Sequence, residues 1–106
     1  MKSFQDILQM GQQVQSKMQE MQTELATKTV TATSGGGMVT VTADGKGHLK
    51  SIKIDPTVVN KDDIEMLEDL VVAAVNEARQ RAETVAQEEM KKLYGGMNLP
   101  FNIPGL

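Results

Sequence analysis

Thr29-Val30-Thr31-Ala32-Thr33, Val39-Thr40-Val41-Thr42-Ala43 and Leu49-Lys50-Ser51-Ile52-Lys53-Ile54 are three short runs in which β-branched or apolar residues alternate with polar ones. Alternate side chains of an extended chain point to opposite faces, so each run predicts a strand. Gly35-Gly36-Gly37 lies between the first two runs, and Asp44-Gly45-Lys46-Gly47 between the second and third. Connections this short predict antiparallel hairpins and a three-stranded meander. Val30, Ala32, Val39, Val41, Ala43, Ile52 and Ile54 form one set of alternate positions, and Thr, Ser and Lys dominate the other. One face of the sheet should be buried and the other wet. Gly35-Gly36-Gly37 leads into strand residues and not into a helix N-terminus, which favours a hairpin turn over a phosphate cradle.

Helical periodicity flanks the strands on both sides. Ile7, Val14 and Met21 share one heptad position, and Phe4, Gly11, Met18 and Leu25 share another. They predict a long amphipathic helix from Phe4 to Leu25 with a narrow apolar seam, opened by Ser3 as cap with Asp6 in the first turn. Gly11 on the seam costs about 1 kcal/mol relative to Ala. Either a partner helix approaches closely there or the helix is locally soft, and the first reading is favoured. After the strands, Asp55-Pro56 removes a backbone donor and ends the third run. Asn60 then reads as an N-cap with Asp62, Asp63 and Glu65 in the first turns. Ile64, Leu67, Val71, Val75, Ala78, Ala82, Val85 and Leu93 recur at three- and four-residue steps, predicting a second helix from about Lys61 to Tyr94. That helix would be roughly 50 Å long against strands of about 20 Å, so most of it is expected to project beyond the sheet. The fold class is α+β in the order α-β-β-β-α, one domain over residues 1–94, and the uncharged Gly/Pro/Met segment 95–106 reads as a flexible tail.

Among 106 residues the only aromatics are Phe4, Tyr94 and Phe101, so the core is thin. A chain this poor in large side chains is a candidate for sharing its core with a second copy. The expected core and dimer seam is Ile7, Val14, Met18, Met21, Ile64, Leu67, Val71 and Val75. There is no Cys, which excludes disulfides, thiolate nucleophiles and Cys-based metal sites. No segment resembles a secretory signal or a membrane span of about 20 apolar residues, so the expected setting is the cytoplasm.

An enzyme fails on inventory. His48 is the only histidine, and the acids at 62, 63, 65, 68 and 69 read as dipole-favoured surface charge, not as a metal site. No cofactor, metal or small-molecule substrate is expected. The net charge is −3, with residues 1–54 carrying six Lys against four acids and residues 55–106 carrying five Lys/Arg against ten. Two basic groups stand out: Lys2, Arg79, Arg81, Lys91 and Lys92 on the helices, and Lys46, His48, Lys50 and Lys53 around the second hairpin. If the helices pack antiparallel, Met1 and Tyr94 meet at one distal end, which collects Lys2, Lys91 and Lys92 with Arg79 and Arg81 further back. Basic surfaces of this kind suit phosphate. With no aromatic interleaved, base stacking on single strands is disfavoured. A protein-interaction scaffold using the acidic face of 62–69 is the competing reading.

Gly35-Gly36-Gly37-Met38-Val39-Thr40-Val41, Gly45-Lys46-Gly47, Ser51-Ile52-Lys53-Ile54-Asp55-Pro56 and the run from Glu65 to Asn76 occur in an order and spacing that resemble the YbaB/EbfC nucleoid-associated proteins. With the Gln- and Met-rich first helix and the Gly/Pro/Met tail, the resemblance covers residues 1–106. It implies a central sheet flanked by long helices, and a homodimer whose protruding helical arms hold double-stranded DNA like tweezers. It further implies a cytoplasmic, nucleoid-associated protein that coats DNA and influences nucleoid organisation and gene expression. A protein partner from the DNA-maintenance machinery belongs to the competing scaffold reading.

Overall fold

Ser3 opens the first helix with a reciprocal cap: its hydroxyl accepts from the Asp6 N–H and the Asp6 carboxylate accepts from the Ser3 N–H, both at 3.2 Å. In the computed structural model, which describes residues 3–95, this helix α1 runs from Phe4 to Thr27. It is followed by β1 (Thr29–Ser34), β2 (Val39–Asp44), β3 (Leu49–Ile54) and the second helix α2 (Ile64–Gly95), with single 3-10 turns at Gly35–Gly37 and Pro56–Val58. The strands form an antiparallel sheet in the order β1-β2-β3. Val30 pairs with Ala43 and Ala32 with Val41 across the first hairpin, and Val41 pairs with Ile52 and Val39 with Ile54 across the second. The α-β-β-β-α order and the meander follow the alternation in the sequence. Gly35, Gly36 and Gly37 all have positive φ (60°, 67° and 93°), a succession that no residue with a Cβ adopts readily.

The core lies between α2 and the first two strands. Val30, Ala32, Val39, Val41 and Ala43 are buried from the sheet side, and Ala74, Ala78 and Ala82 from the helix side. Small side chains at every fourth helical position let the helix axis approach the sheet, and Leu67, Leu70, Val71, Val75 and Val85 close the margins. Val58 of the second 3-10 turn is buried as well.

The structure corrects three expectations. α2 begins at Ile64, and its first turn is capped by Asp63, whose carboxylate accepts from the Met66 N–H at 3.2 Å. Asn60 is not that cap, because its side chain closes a turn onto the Asp62 N–H at 2.9 Å. Secondly, α2 crosses the sheet and does not mostly project from it. The Ser34 hydroxyl donates to the Leu70 carbonyl and the Arg81 guanidinium to the Thr31 carbonyl, each at 2.6 Å, so residues 70–81 lie along β1. Ala82, Glu83 and Ala86 then face Leu25 and Gly45, and Leu93 reaches Lys17 and Met21 of the antiparallel α1. The projecting arm is therefore the last turns of α2 beside α1, with the N-terminal part of α1 extending beyond them. The described residues measure 71 × 23 × 17 Å.

Thirdly, the apolar side of β3 is not buried. A register shift between Thr42 and Ala43 leaves Lys50 as the extra residue and places Leu49 opposite Ala43. Leu49, Ile52 and Ile54 thus share the helix side of the sheet with Ala43, Val41 and Val39, yet they are 39–42% exposed. A helix about 10 Å across covers two strands spaced about 4.8 Å apart and leaves a third open. Of the expected seam, Met21 is buried, Val14, Met18, Leu67, Val71 and Val75 are half-buried, and Ile7 and Ile64 are exposed.

The arm joins the sheet at one crowded point. The Gly45 N–H donates to the carbonyls of Leu25 (2.9 Å) and Lys28 (3.1 Å), tying the β2–β3 turn to the end of α1. A Cβ on Gly45 would stand 2.7 Å from the Leu25 carbonyl oxygen and 3.3 Å from its Cα, both backbone atoms that cannot rotate away. Gly45→Ala is therefore expected to lose about 1–3 kcal/mol, the usual range for overpacking. Chemical denaturation checks this, and a loss under about 0.5 kcal/mol, the ordinary surface range, would show that the junction relaxes freely.

Candidate nucleic-acid interface

The two basic groups fall on different parts of the molecule. Lys2 lies outside the described residues. Arg79 and Arg81 belong to the part of α2 over the sheet and not to the arm. The Arg81 guanidinium is moreover engaged by the Thr31 carbonyl and by the Glu77 carboxylate at 2.8 Å. Arg79 is exposed on the outer side of the same helix. Lys91 and Lys92 are exposed on the arm.

The structure adds two lysines, from α1 and its C-terminal cap, that nothing in the sequence pattern singles out. Lys28 approaches Glu89 at 3.4 Å and Lys92 approaches the same oxygen at 3.6 Å, so one carboxylate with little solvent exposure sits between two ammonium groups. Lys17 lines the same cleft as Lys92 and pairs with Glu20 at 3.5 Å. The signal for both is the antiparallel pairing itself, which brings the second half of α1 and its cap against residues 82–93 of α2. The arm thus presents Lys17, Lys28, Lys91 and Lys92 with Glu20, Glu24, Glu88 and Glu89 interspersed. The Lys17–Glu20 pair is exposed on both sides and contributes little to stability, whereas Lys28 and Lys92 share a carboxylate that is itself largely covered.

The second group surrounds Asp44, which is buried at the β2–β3 turn. One of its oxygens accepts from the Lys46 N–H at 2.9 Å and the His48 N–H at 3.0 Å, and the other lies 3.5 Å from His48 Nδ1. Burial alone would raise this carboxyl, but the two backbone donors and the nearby His48 and Lys50 hold it below the ordinary range. Asp55 is also lowered, by the Thr57 N–H (2.9 Å) and hydroxyl (2.8 Å). A carboxylate lowered by folding stabilises the native state above its unfolded pKa, and that contribution disappears as pH falls through the folded value. Stability is therefore expected to be flat from neutrality to about pH 5 and to decline below about pH 4. Asp44→Asn should flatten the acid limb of a Tm-against-pH curve, and an unchanged limb would contradict the assignment.

Lys46, His48, Lys50 and Lys53 are all exposed. Lys53 pairs with Thr40 on the wet face, whereas Lys50 sits at the register shift, so they do not form a single row. The acids at 62, 63, 65, 68 and 69 are exposed at the end of the sheet away from the arm. Among the described residues no group of His, Cys, Asp and Glu could hold a metal ion, and no helix is long and apolar enough to cross a membrane.

The chain is 56% identical over 105 residues to nucleoid-associated protein THEYE_A1069 of Thermodesulfovibrio yellowstonii, covering 99% of this chain and 89% of the relative. It is 48% identical over 94 residues to nucleoid-associated protein R00231 of Rhizobium meliloti, covering 89% and 85%. The crystal structure of the uncharacterised protein HP0035 from Helicobacter pylori has the same fold, with a TM-score of 0.75 at 24% identity over 92% of this chain and 98% of that one. The model of the YbaB/EbfC DNA-binding family matches residues 1–97, and the chain belongs to that family.

Proposed function

We propose that this is a non-enzymatic protein that binds double-stranded DNA as a homodimer, associates with the nucleoid in the cytoplasm, and acts in nucleoid organisation and gene regulation. Membership of a DNA-binding family across residues 1–97 carries the reading. Relatives called nucleoid-associated proteins support the setting. The dimer is supported by the open apolar side of β3, formed by Leu49, Ile52 and Ile54, and by exposed Ile64 at the start of α2. A second copy of the same surface is the simplest cover for such a face. In a dimer the two arms stand as a pair, and their lysines supply the phosphate contacts.

Duplex binding measured by gel shift across a salt titration tests the function. The logarithm of affinity should fall linearly with the logarithm of salt, with a slope of about 0.9 for each phosphate neutralised. No duplex binding at low salt would overturn the reading in favour of a scaffold that engages a DNA-maintenance protein through its exposed acidic segment at 62–69. Light scattering at micromolar concentration should give twice 11.6 kDa, and a mass of 11.6 kDa would overturn the dimer.

A further inference from the structure

The side of α1 turned away from α2 carries an uncharged polar row. Gln5, Gln9, Gln12, Ser16, Gln19 and Thr23 recur at steps of four and three residues and are all exposed. At about 3.6 residues per turn they fall within a sector of about 80°, opposite the buried Met21 and Leu25. The charged residues of the helix, Asp6, Lys17, Glu20 and Glu24, all lie on one flank of that row, and Asp6 is turned back onto the Ser3 N–H. Leu8 is 51% exposed and sits beside the row, within one turn of both Gln5 and Gln12 and about a quarter-turn away from the apolar seam. Amides around a bare leucine fit a partner surface that offers donors, acceptors and an apolar group but no charge.

The floor of the major groove is such a surface. A glutamine amide sets one donor and one acceptor against adenine N7 and N6, and an apolar side chain meets the thymine methyl. Guanine presents two acceptors and suits Arg or Lys, neither of which lies in the row. Width selects the distal end of the arm. Leu93 lies beside Lys17 and Met21 and α2 ends at Gly95, so residues 4 to about 14 of α1 have no described residue of α2 opposite them. A lone helix about 10–12 Å across enters a groove about 12 Å wide, whereas two helices packed about 8–10 Å apart do not.

We propose that the distal part of α1 lies in the major groove and reads A·T pairs, with Gln5, Gln9 and Gln12 on adenine and Leu8 on the thymine methyl, while the lysines further back hold phosphates. This assignment rests on the duplex binding proposed above and adds a sequence preference to it.

Replacing adenine by 7-deazaadenine in an alternating A·T duplex deletes the N7 acceptor from the major groove and leaves the minor-groove edge unchanged. The full chain should bind the unmodified duplex more tightly by about fivefold or more, the lower end of what one bidentate pair supplies. Gln9→Ala with Gln12→Ala should bind both duplexes alike and keep the parent's salt slope, because Ala favours the helix and no phosphate contact is touched. Uracil in place of thymine should likewise weaken the parent and leave Leu8→Ala unaffected. Equal affinity of the parent for all three duplexes, with the salt slope intact, would overturn base reading and leave phosphate binding standing. A preference that survives Gln9→Ala with Gln12→Ala would overturn the assignment to this row. Absence of binding to every duplex would overturn this proposal together with the function on which it rests.

Discussion

Ala78→Asp is expected to abolish cooperative folding. Ala78 is fully buried, and so are its neighbours one turn away, Ala74 and Ala82. All three face a sheet surface whose largest fully buried side chains are Val39 and Val41. There is no room for a larger group, and the usual cost of overpacking is about 1–3 kcal/mol. The carboxylate would also lose its water with no donor in reach, which adds several kcal/mol even when the group takes up a proton. Small domains have about 5–15 kcal/mol in total. A circular-dichroism melt should therefore show no sharp transition, whereas Gln80→Asp on the exposed side of the same helix should stay within about 0.5 kcal/mol of the parent. A melt of Ala78→Asp close to that of the parent would show that α2 does not lie on the sheet as described.

Reversing both arm lysines, Lys91→Glu with Lys92→Glu, is expected to reduce duplex affinity at least tenfold. It should also flatten the salt slope by about 0.9 for each phosphate that is no longer neutralised. Lys50→Glu with Lys53→Glu should change both quantities little, because those side chains point to different parts of the turn and the wet face. The opposite pattern would place the DNA on the sheet. Lys92→Glu also sets a carboxylate beside Glu89, so the melt of each double variant is measured alongside, and a loss of affinity without a loss of fold isolates the electrostatic effect.

Much of the fold is legible in the sequence because its signals are local. Alternation and glycine spacing identify three strands without reference to anything distant, and Ser3 with Asp6 is a cap readable from four residues. Sequence and structure part where two local signals compete or where width matters. Asn60 and Asp63 are both good caps, and only the turn at Asp62 decides that Asn60 is already occupied. The apolar side of β3 looks identical to those of β1 and β2 in the sequence, but whether one helix is wide enough to cover all three is a property of packed bodies, not of residue order. Arg79 and Arg81 are expected on the arm because chain order fixes the direction of α2 but not the residue at which it leaves the sheet. Lys17 and Lys28 escape notice for the same reason, since their relation to Lys92 exists only once the two helices lie side by side.

The Gly45 junction makes α1 a lever. The described helix is held to the body of the sheet at its last turn and to the last turns of α2 along residues 17–25, so the two helices move as one arm, and α1 runs about 36 Å from the junction to Phe4. A rotation of about 10° about that fulcrum would carry the tip roughly 6 Å, about half the width of the major groove of duplex DNA. In the homodimer proposed above, the aperture between two such arms would be set by the geometry of this pivot.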